Sequence, residues 1–138
     1  DPNHLLPQIW EAQTKTLAMK NTGMAVTTDI TNLDDIHPKN KQDVGKRLAL
    51  WALAKTYGKE GLVFSGPLYK SMKVEGNKVR IEFDHVGGGL KSRDGKPLSW
   101  FTIAGKEGDF VEATATIDGN AVVVTSDKIA EPAAVRFG

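Results

Sequence analysis

The sequence predicts an α+β chain, a helix-strand-loop-helix portion followed by an antiparallel, sandwich-like β domain. Two observations carry this. Apolar residues recur at helical spacing from Val44 to Tyr57, whereas from Leu62 onward they alternate with a period of two. Two short polar turns, Glu75-Gly76-Asn77 and Asp118-Gly119-Asn120, separate alternating runs in the way hairpin loops do. The composition shift around Gly61 to Pro67 sets the boundary, so residues 1–61 form the first portion and 62–138 the second.

In the first portion, Pro7 suits the first position of a helix running to Met19, with Ile9, Trp10, Ala12 and Leu17 as a ragged apolar stripe. Asn21-Thr22-Gly23 ends it, Gly23 being free to take positive φ. Met24-Ala25-Val26-Thr27-Thr28 is apolar and β-branched, as a strand buried on both faces would be. The segment Asp34 to Gln42 then reads as a loop leaving that strand and entering the next helix. Either Pro38 opens that helix or Asn40 caps it, with Asp43 three residues on. The wide apolar arc of Val44, Leu48, Leu50, Trp51, Leu53, Ala54 and Tyr57 predicts a well-buried helix, closed by Gly58.

The second portion offers six strands. Tyr69–Val74 and Lys78–Phe83 form one hairpin, Phe110–Ile117 and Ala121–Thr125 another, with Trp100–Ala104 and Ala133–Phe137 beside them.

Bulk properties exclude several functions. Eighteen Lys+Arg against 17 Asp+Glu give a net charge of +1 with no basic block, which argues against nucleic acid. There is no Cys, and the three histidines, His4, His37 and His85, have no metal-ligand spacing. No run approaches the ~18 apolar residues of a membrane span, and the amino terminus lacks a signal-peptide pattern. The chain begins without Met and stops inside an alternating stretch, Val135-Arg136-Phe137-Gly138, so a piece of something longer is expected, its β domain truncated at the end.

His37 is the leading candidate for chemistry. Asp34-x-x-His37 places a carboxylate within a turn of chain of an imidazole, the arrangement that holds a general base in one tautomer, and Asp35 competes with Asp34 for that role. The alternative is a solvated turn before a proline. Ser65, Ser71, Ser92, Ser99 and Ser126 lie in no nucleophile motif. Gly87-Gly88-Gly89 precedes no helix and is followed by Leu90-Lys91, so it is a loop rather than a phosphate cradle. Trp100-Phe101 offers a sugar-stacking ring if one of the two leaves the core, although core packing of both is the commoner outcome.

The runs Gly23 to Ile30, Asp34-Asp35-Ile36-His37-Pro38-Lys39-Asn40-Lys41-Gln42 and Arg47 to Ala54, with Phe101 to Gly105 and Ala133 to Phe137 in the β portion, resemble the carboxy-terminal region of bacterial sialate O-acetylesterases of the SGNH hydrolase superfamily. The resemblance extends over nearly the whole chain. It implies that residues 1–61 are the last part of an SGNH α/β layer. It also implies hydrolysis of O-acetyl esters of sialic acid or other acetylated glycans by a Ser-His-Asp mechanism, without metal or other cofactor, in a periplasmic or secreted protein. In that family a Ser attacks the ester carbonyl and a His takes its proton, while a main-chain N–H, a Gly and an Asn stabilise the oxyanion. The resemblance carries the base onto His37 and the orienting acid onto Asp34. Some relatives have Asn at the position of Asp34 and Asp at that of Asp35, which leaves Asp35 as the alternative. The Ser, Gly and Asn blocks lie upstream of anything present here, so the nucleophile is expected in the remainder of the parent polypeptide and this chain alone is expected to be inactive. A non-catalytic carbohydrate-binding or interaction β module is the alternative function.

Overall fold

The computed structural model describes residues 5–32, 34, 35, 37 and 39–138. The chain divides into two compact units, Asp1–Ser65 and Gly66–Gly138.

Among the described residues, the first unit holds two α-helices. Helix α1 (Leu5–Lys15) runs into a 3₁₀ turn, Thr16–Ala18, whose end is tied by the Thr22 hydroxyl donating to the carbonyls of Thr16 (2.9 Å) and Met19 (2.8 Å). The left-handed residue after it is Asn21 (φ 61°), the non-glycine type that tolerates this region best. Gly23 is needed for a different reason from the one expected: a Cβ on it would lie 2.9 Å from Cβ and Cγ of Trp51. Gly23→Ala therefore forces an overpacked contact, and a loss of about 1–3 kcal/mol is expected. Thermal unfolding followed by near-ultraviolet circular dichroism checks it; an unchanged midpoint would show that the indole moves aside freely.

Helix α2 (Lys41–Trp51) is capped by Asn40, whose Oδ1 accepts from the Asp43 amide (3.1 Å) while its Nδ2 donates to Asp43 Oδ2 (2.7 Å). Asn40, rather than a proline in the first turn, thus fixes the helix start; Pro38 lies outside the described residues. The helix widens into a π-helical turn, Ala52–Thr56, and ends at Gly58 (φ 64°). The expected deep burial is not found. No residue of α2 is buried, and Leu48, Leu53 and Tyr57 are exposed. The apolar arc has no sheet to pack on among the described residues of this unit. It meets Gly23 and Phe64, whose ring lies edge-on to Trp51 at 4.8 Å between centroids. The expected strand Met24–Thr28 is likewise not formed, because pairing needs a neighbouring strand and this unit supplies none among its described residues.

The second unit contains seven strands in two antiparallel sheets. Strands β1 (Leu68–Glu75), β2 (Lys78–Asp84), β6 (Ala121–Thr125) and β5 (Thr114–Asp118) form one sheet in the order β1-β2-β6-β5. Strands β4 (Val111–Glu112), β3 (Phe101–Ala104) and β7 (Ala134–Phe137) form the other, in the order β4-β3-β7. Both expected hairpins form, with Glu75 opposite Lys78 and Asp118 opposite Ala121, and Gly76 and Gly119 at positive φ in the turns. Phe110–Ile117 is not one strand but two. The chain leaves one sheet at Ala113, whose amide still donates to the Phe101 carbonyl (3.1 Å), and joins the other at Thr114. A bulge at Lys70 also breaks the simple alternation of β1: Tyr69 faces Phe83 and Ser71 faces Glu82, which brings Tyr69 onto the same sheet face as Met72 and Val74.

Residues from both sheets share a single core. Val79, Ile81, Val122, Val124 and Ala115 from the larger sheet pack with Phe101 and Ile103 from the smaller, and Phe83, Leu98, Val111 and Val135 are among the half-buried residues around them. Register explains the membership: Val79 and Ala115 both lie opposite Val124, and Ile103 lies opposite both Val111 and Val135.

Candidate functional site

The loop before α2 is shaped by two successive turns in which a side-chain oxygen accepts from a backbone amide two residues on. Asn32 Oδ1 takes the Asp34 amide (3.0 Å) and Asp35 Oδ1 takes the His37 amide (2.8 Å). The second turn folds the His37 ring back onto the same carboxylate, with Nδ1 3.3 Å from Asp35 Oδ1, slightly beyond the usual N–H···O range. The carboxylate beside the ring is therefore that of Asp35, two residues away, and Asp34 makes no hydrogen bond or ion pair with the ring among the described residues. Residue spacing does not reveal this contact, because the Asp35 oxygen beside the ring is the one that also accepts the His37 amide.

Exposure sets what this pair can do. The His37 side chain is 82% exposed and that of Asp35 40%, so the pair is solvated and its Coulombic attraction is screened. With Nδ1 turned to the carboxylate, Nε2 makes no hydrogen bond among the described residues, as a proton-accepting edge requires. Nor does any serine hydroxyl contact His37 among them. Ser71 Oγ donates to Glu82 (3.3 Å) and Ser92 Oγ to Asp94 (2.8 Å). The Ser92 hydroxyl and the Lys96 amide together hold the Asp94 carboxyl below its ordinary range.

One pair escaped the sequence reading. Arg47, on the second turn of α2, grips Asp29 with both prongs, Nη1 to Oδ1 and Nη2 to Oδ2 each at 2.7 Å, and Nη1 also donates to the Val26 carbonyl. The Val26 carbonyl thus finds a side-chain donor where a sheet ladder was expected. The hydrogen bonds that Arg47 donates to Asp29 raise the guanidinium pKa further, against a smaller opposing effect of desolvation. An apolar run ending in Asp29, and an Arg one turn into a helix, are the only signals, and they lie 18 residues apart.

In the β unit the two aromatics separate. Phe101 is buried and stacks with Phe137 at 4.7 Å between centroids, whereas Trp100 is 78% exposed. Alternation along a strand is not the cause, since Trp100 precedes β3 and sits at φ 66°, a rare conformation for a bulky residue. Its backbone is held there by the Gly138 amide donating to the Trp100 carbonyl (3.1 Å). Gly87–Gly89 forms a turn closed by the Gly89 amide on the Val86 carbonyl (2.9 Å).

No protein-family model matches the chain. Over 60 residues it is 45% identical to the sialate O-acetylesterase of Mus musculus, a match covering 41% of this chain and 11% of that protein. Over 64 residues it is 42% identical to the sialate O-acetylesterase of Homo sapiens, covering 44% of this chain and 12% of that protein. The crystal structure of a carbohydrate acetylesterase from Xanthomonas citri is 49% identical, with a TM-score of 0.85 over 92% of this chain and 29% of that one. The chain thus spans less than a third of that solved relative and about an eighth or less of the mammalian ones. In sequence it is similar to sialate O-acetylesterases, and in sequence and α+β fold to the solved carbohydrate acetylesterase.

Proposed function

We propose that this chain carries the acid–base part of a carbohydrate O-acetylesterase, with His37 as general base and the serine nucleophile in the remainder of the parent polypeptide. The observation that carries this reading is the His37 ring on the loop before α2, its Nδ1 beside Asp35 and its Nε2 left to other partners. With Nδ1–H directed at a carboxylate, Nε2 is the acceptor. It takes the serine proton as the hydroxyl attacks the acetyl carbonyl and returns it to the departing sugar oxygen; a water molecule then releases acetate by the same route. Asp35 orients the ring by contact, and Asp34 is the alternative by spacing.

Residues 1–61 are then the carboxy-terminal part of an SGNH layer, and 62–138 a sandwich-like β domain. The exposed apolar arc of α2 supports this, because a helix with that pattern is normally covered. O-acetylated sialic acid is the proposed substrate, on the identity with the sialate O-acetylesterases.

Assayed by itself with an aryl acetate and an O-acetylated sialic acid, the chain is expected to give no turnover above buffer. Turnover that His37→Ala abolishes would refute the placement of the nucleophile elsewhere. A second reading, a non-catalytic glycan-binding module, is favoured by Trp100, an indole held outward by a strained backbone. Glycan binding by this chain that Trp100→Ala removes, together with no esterase activity in any longer form, would favour it over the first.

A further inference from the structure

We propose that Arg47 is a positioning residue for His37, clamping the near stem of the loop that carries the imidazole to the helix whose Asn40 cap holds the far stem. The inference rests on the assignment of His37 as base. On the near side of the loop, Arg47 holds Asp29 through two 2.7 Å hydrogen bonds and also takes the Val26 carbonyl. On the far side, Asn40 caps α2 through the Asp43 amide at 3.1 Å. The stems at Asp29 and Asn40 are therefore referred to one rigid element, and His37 lies three residues before the cap.

Chemistry makes the fork the part that matters. A carboxylate gripped by two parallel N–H···O bonds is fixed in orientation as well as distance, whereas an ammonium fixes distance alone. The ion pair is about one-third exposed on each side, so its contribution to overall stability is modest. Its geometric contribution is larger. The His37 Nδ1 contact, at 3.3 Å, is already at the edge of hydrogen-bonding range, and the two turns over 32–34 and 35–37 are local devices that do not determine where the loop stands relative to α2. Displacing a catalytic group by about 1 Å costs on the order of 10²-fold in rate.

The test compares Arg47→Lys, Arg47→Ala and the exchange Asp29→Arg with Arg47→Asp in the intact esterase that carries this chain, with His37→Ala alongside. Arg47→Lys is expected to lower kcat and leave KM unchanged, Arg47→Ala to lower kcat by on the order of 10²-fold, and the exchange to recover part of the loss. In the chain itself, amide hydrogen exchange around Asp35 and His37 is expected to speed up in Arg47→Lys while the melting temperature holds. If His37→Ala inactivates the enzyme but Arg47→Lys retains full kcat, the positioning role is overturned and the base assignment stands. If His37→Ala itself leaves activity intact, the base assignment falls first. A kcat loss that tracks a lowered melting temperature and is not recovered by the exchange would make Arg47 merely structural and overturn the proposal.

Discussion

On the proposed assignment of His37 as base, His37→Ala in the intact parent protein is expected to reduce esterase kcat by several orders of magnitude with little change in KM. Deleting one member of a serine triad leaves roughly 10³–10⁴-fold catalysis over water, from oxyanion stabilisation and binding alone. The loss belongs to the transition state, because the base accepts its proton only as the nucleophile attacks. Exposure argues that the loss is not a folding defect: the His37 side chain is 82% exposed, so its truncation leaves no cavity. Near-normal activity would remove His37 from the mechanism. Asn substitutions at the two acids sharpen the experiment. The contact between His37 Nδ1 and Asp35 Oδ1 predicts that Asp35→Asn lowers kcat, by up to about 10⁴-fold, and that Asp34→Asn is mild. The opposite ranking would show that the three-residue spacing, rather than the observed contact, identifies the orienting acid.

The largest stability effect is expected at Ile103→Ala. Ile103 is fully buried (0% exposed) in β3, between Val111 on β4 and Val135 on β7, and it reaches the core residues of the other sheet. Truncation removes buried methyl groups and leaves a cavity whose walls are strands with little freedom to collapse, a cost of about 2–5 kcal/mol. Ile103→Val keeps most of the volume and is expected to cost about 0.5–1.5 kcal/mol. Urea unfolding of the full chain, followed by β-sheet circular dichroism, distinguishes the two. A loss below about 1 kcal/mol for the alanine variant would mean that the two sheets do not depend on this side chain. Since whole domains are stable by only about 5–15 kcal/mol, the alanine variant is expected to show partial unfolding well below the wild-type midpoint.

The features that could be read from the sequence are those set by neighbours a few residues apart. Gly76-Asn77 and Gly119-Asn120 announced their hairpins because two-residue turns need positive φ, and Asn40 with Asp43 announced the start of α2. The α+β class followed from those local signals. What escaped was decided at a distance. Gly23 is required by Trp51, and Val26 is satisfied by Arg47 rather than by a strand. Phe110–Ile117 divides at Ala113 because its halves find partners in different sheets. In each case the deciding group lies in another element, where periodicity carries no information. The apolar pattern of α2 was legible as a pattern, but burial also depends on what is available to cover it. At the candidate site, residue spacing points to Asp34 while the side-chain contact is with Asp35, the alternative.

The bulge at Lys70 matters beyond side-chain facing. β1 is the outer strand of its sheet, and an outer strand offers a row of backbone donors and acceptors to any passing strand, including that of a second copy of the same chain. An extra residue at Lys70 interrupts that row, and the cations of Lys70 and Lys73 flank Met72 on the same edge. The irregularity that moves Tyr69, still 65% exposed, onto the face of Met72 and Val74 therefore also breaks the regular edge that strand-to-strand aggregation needs.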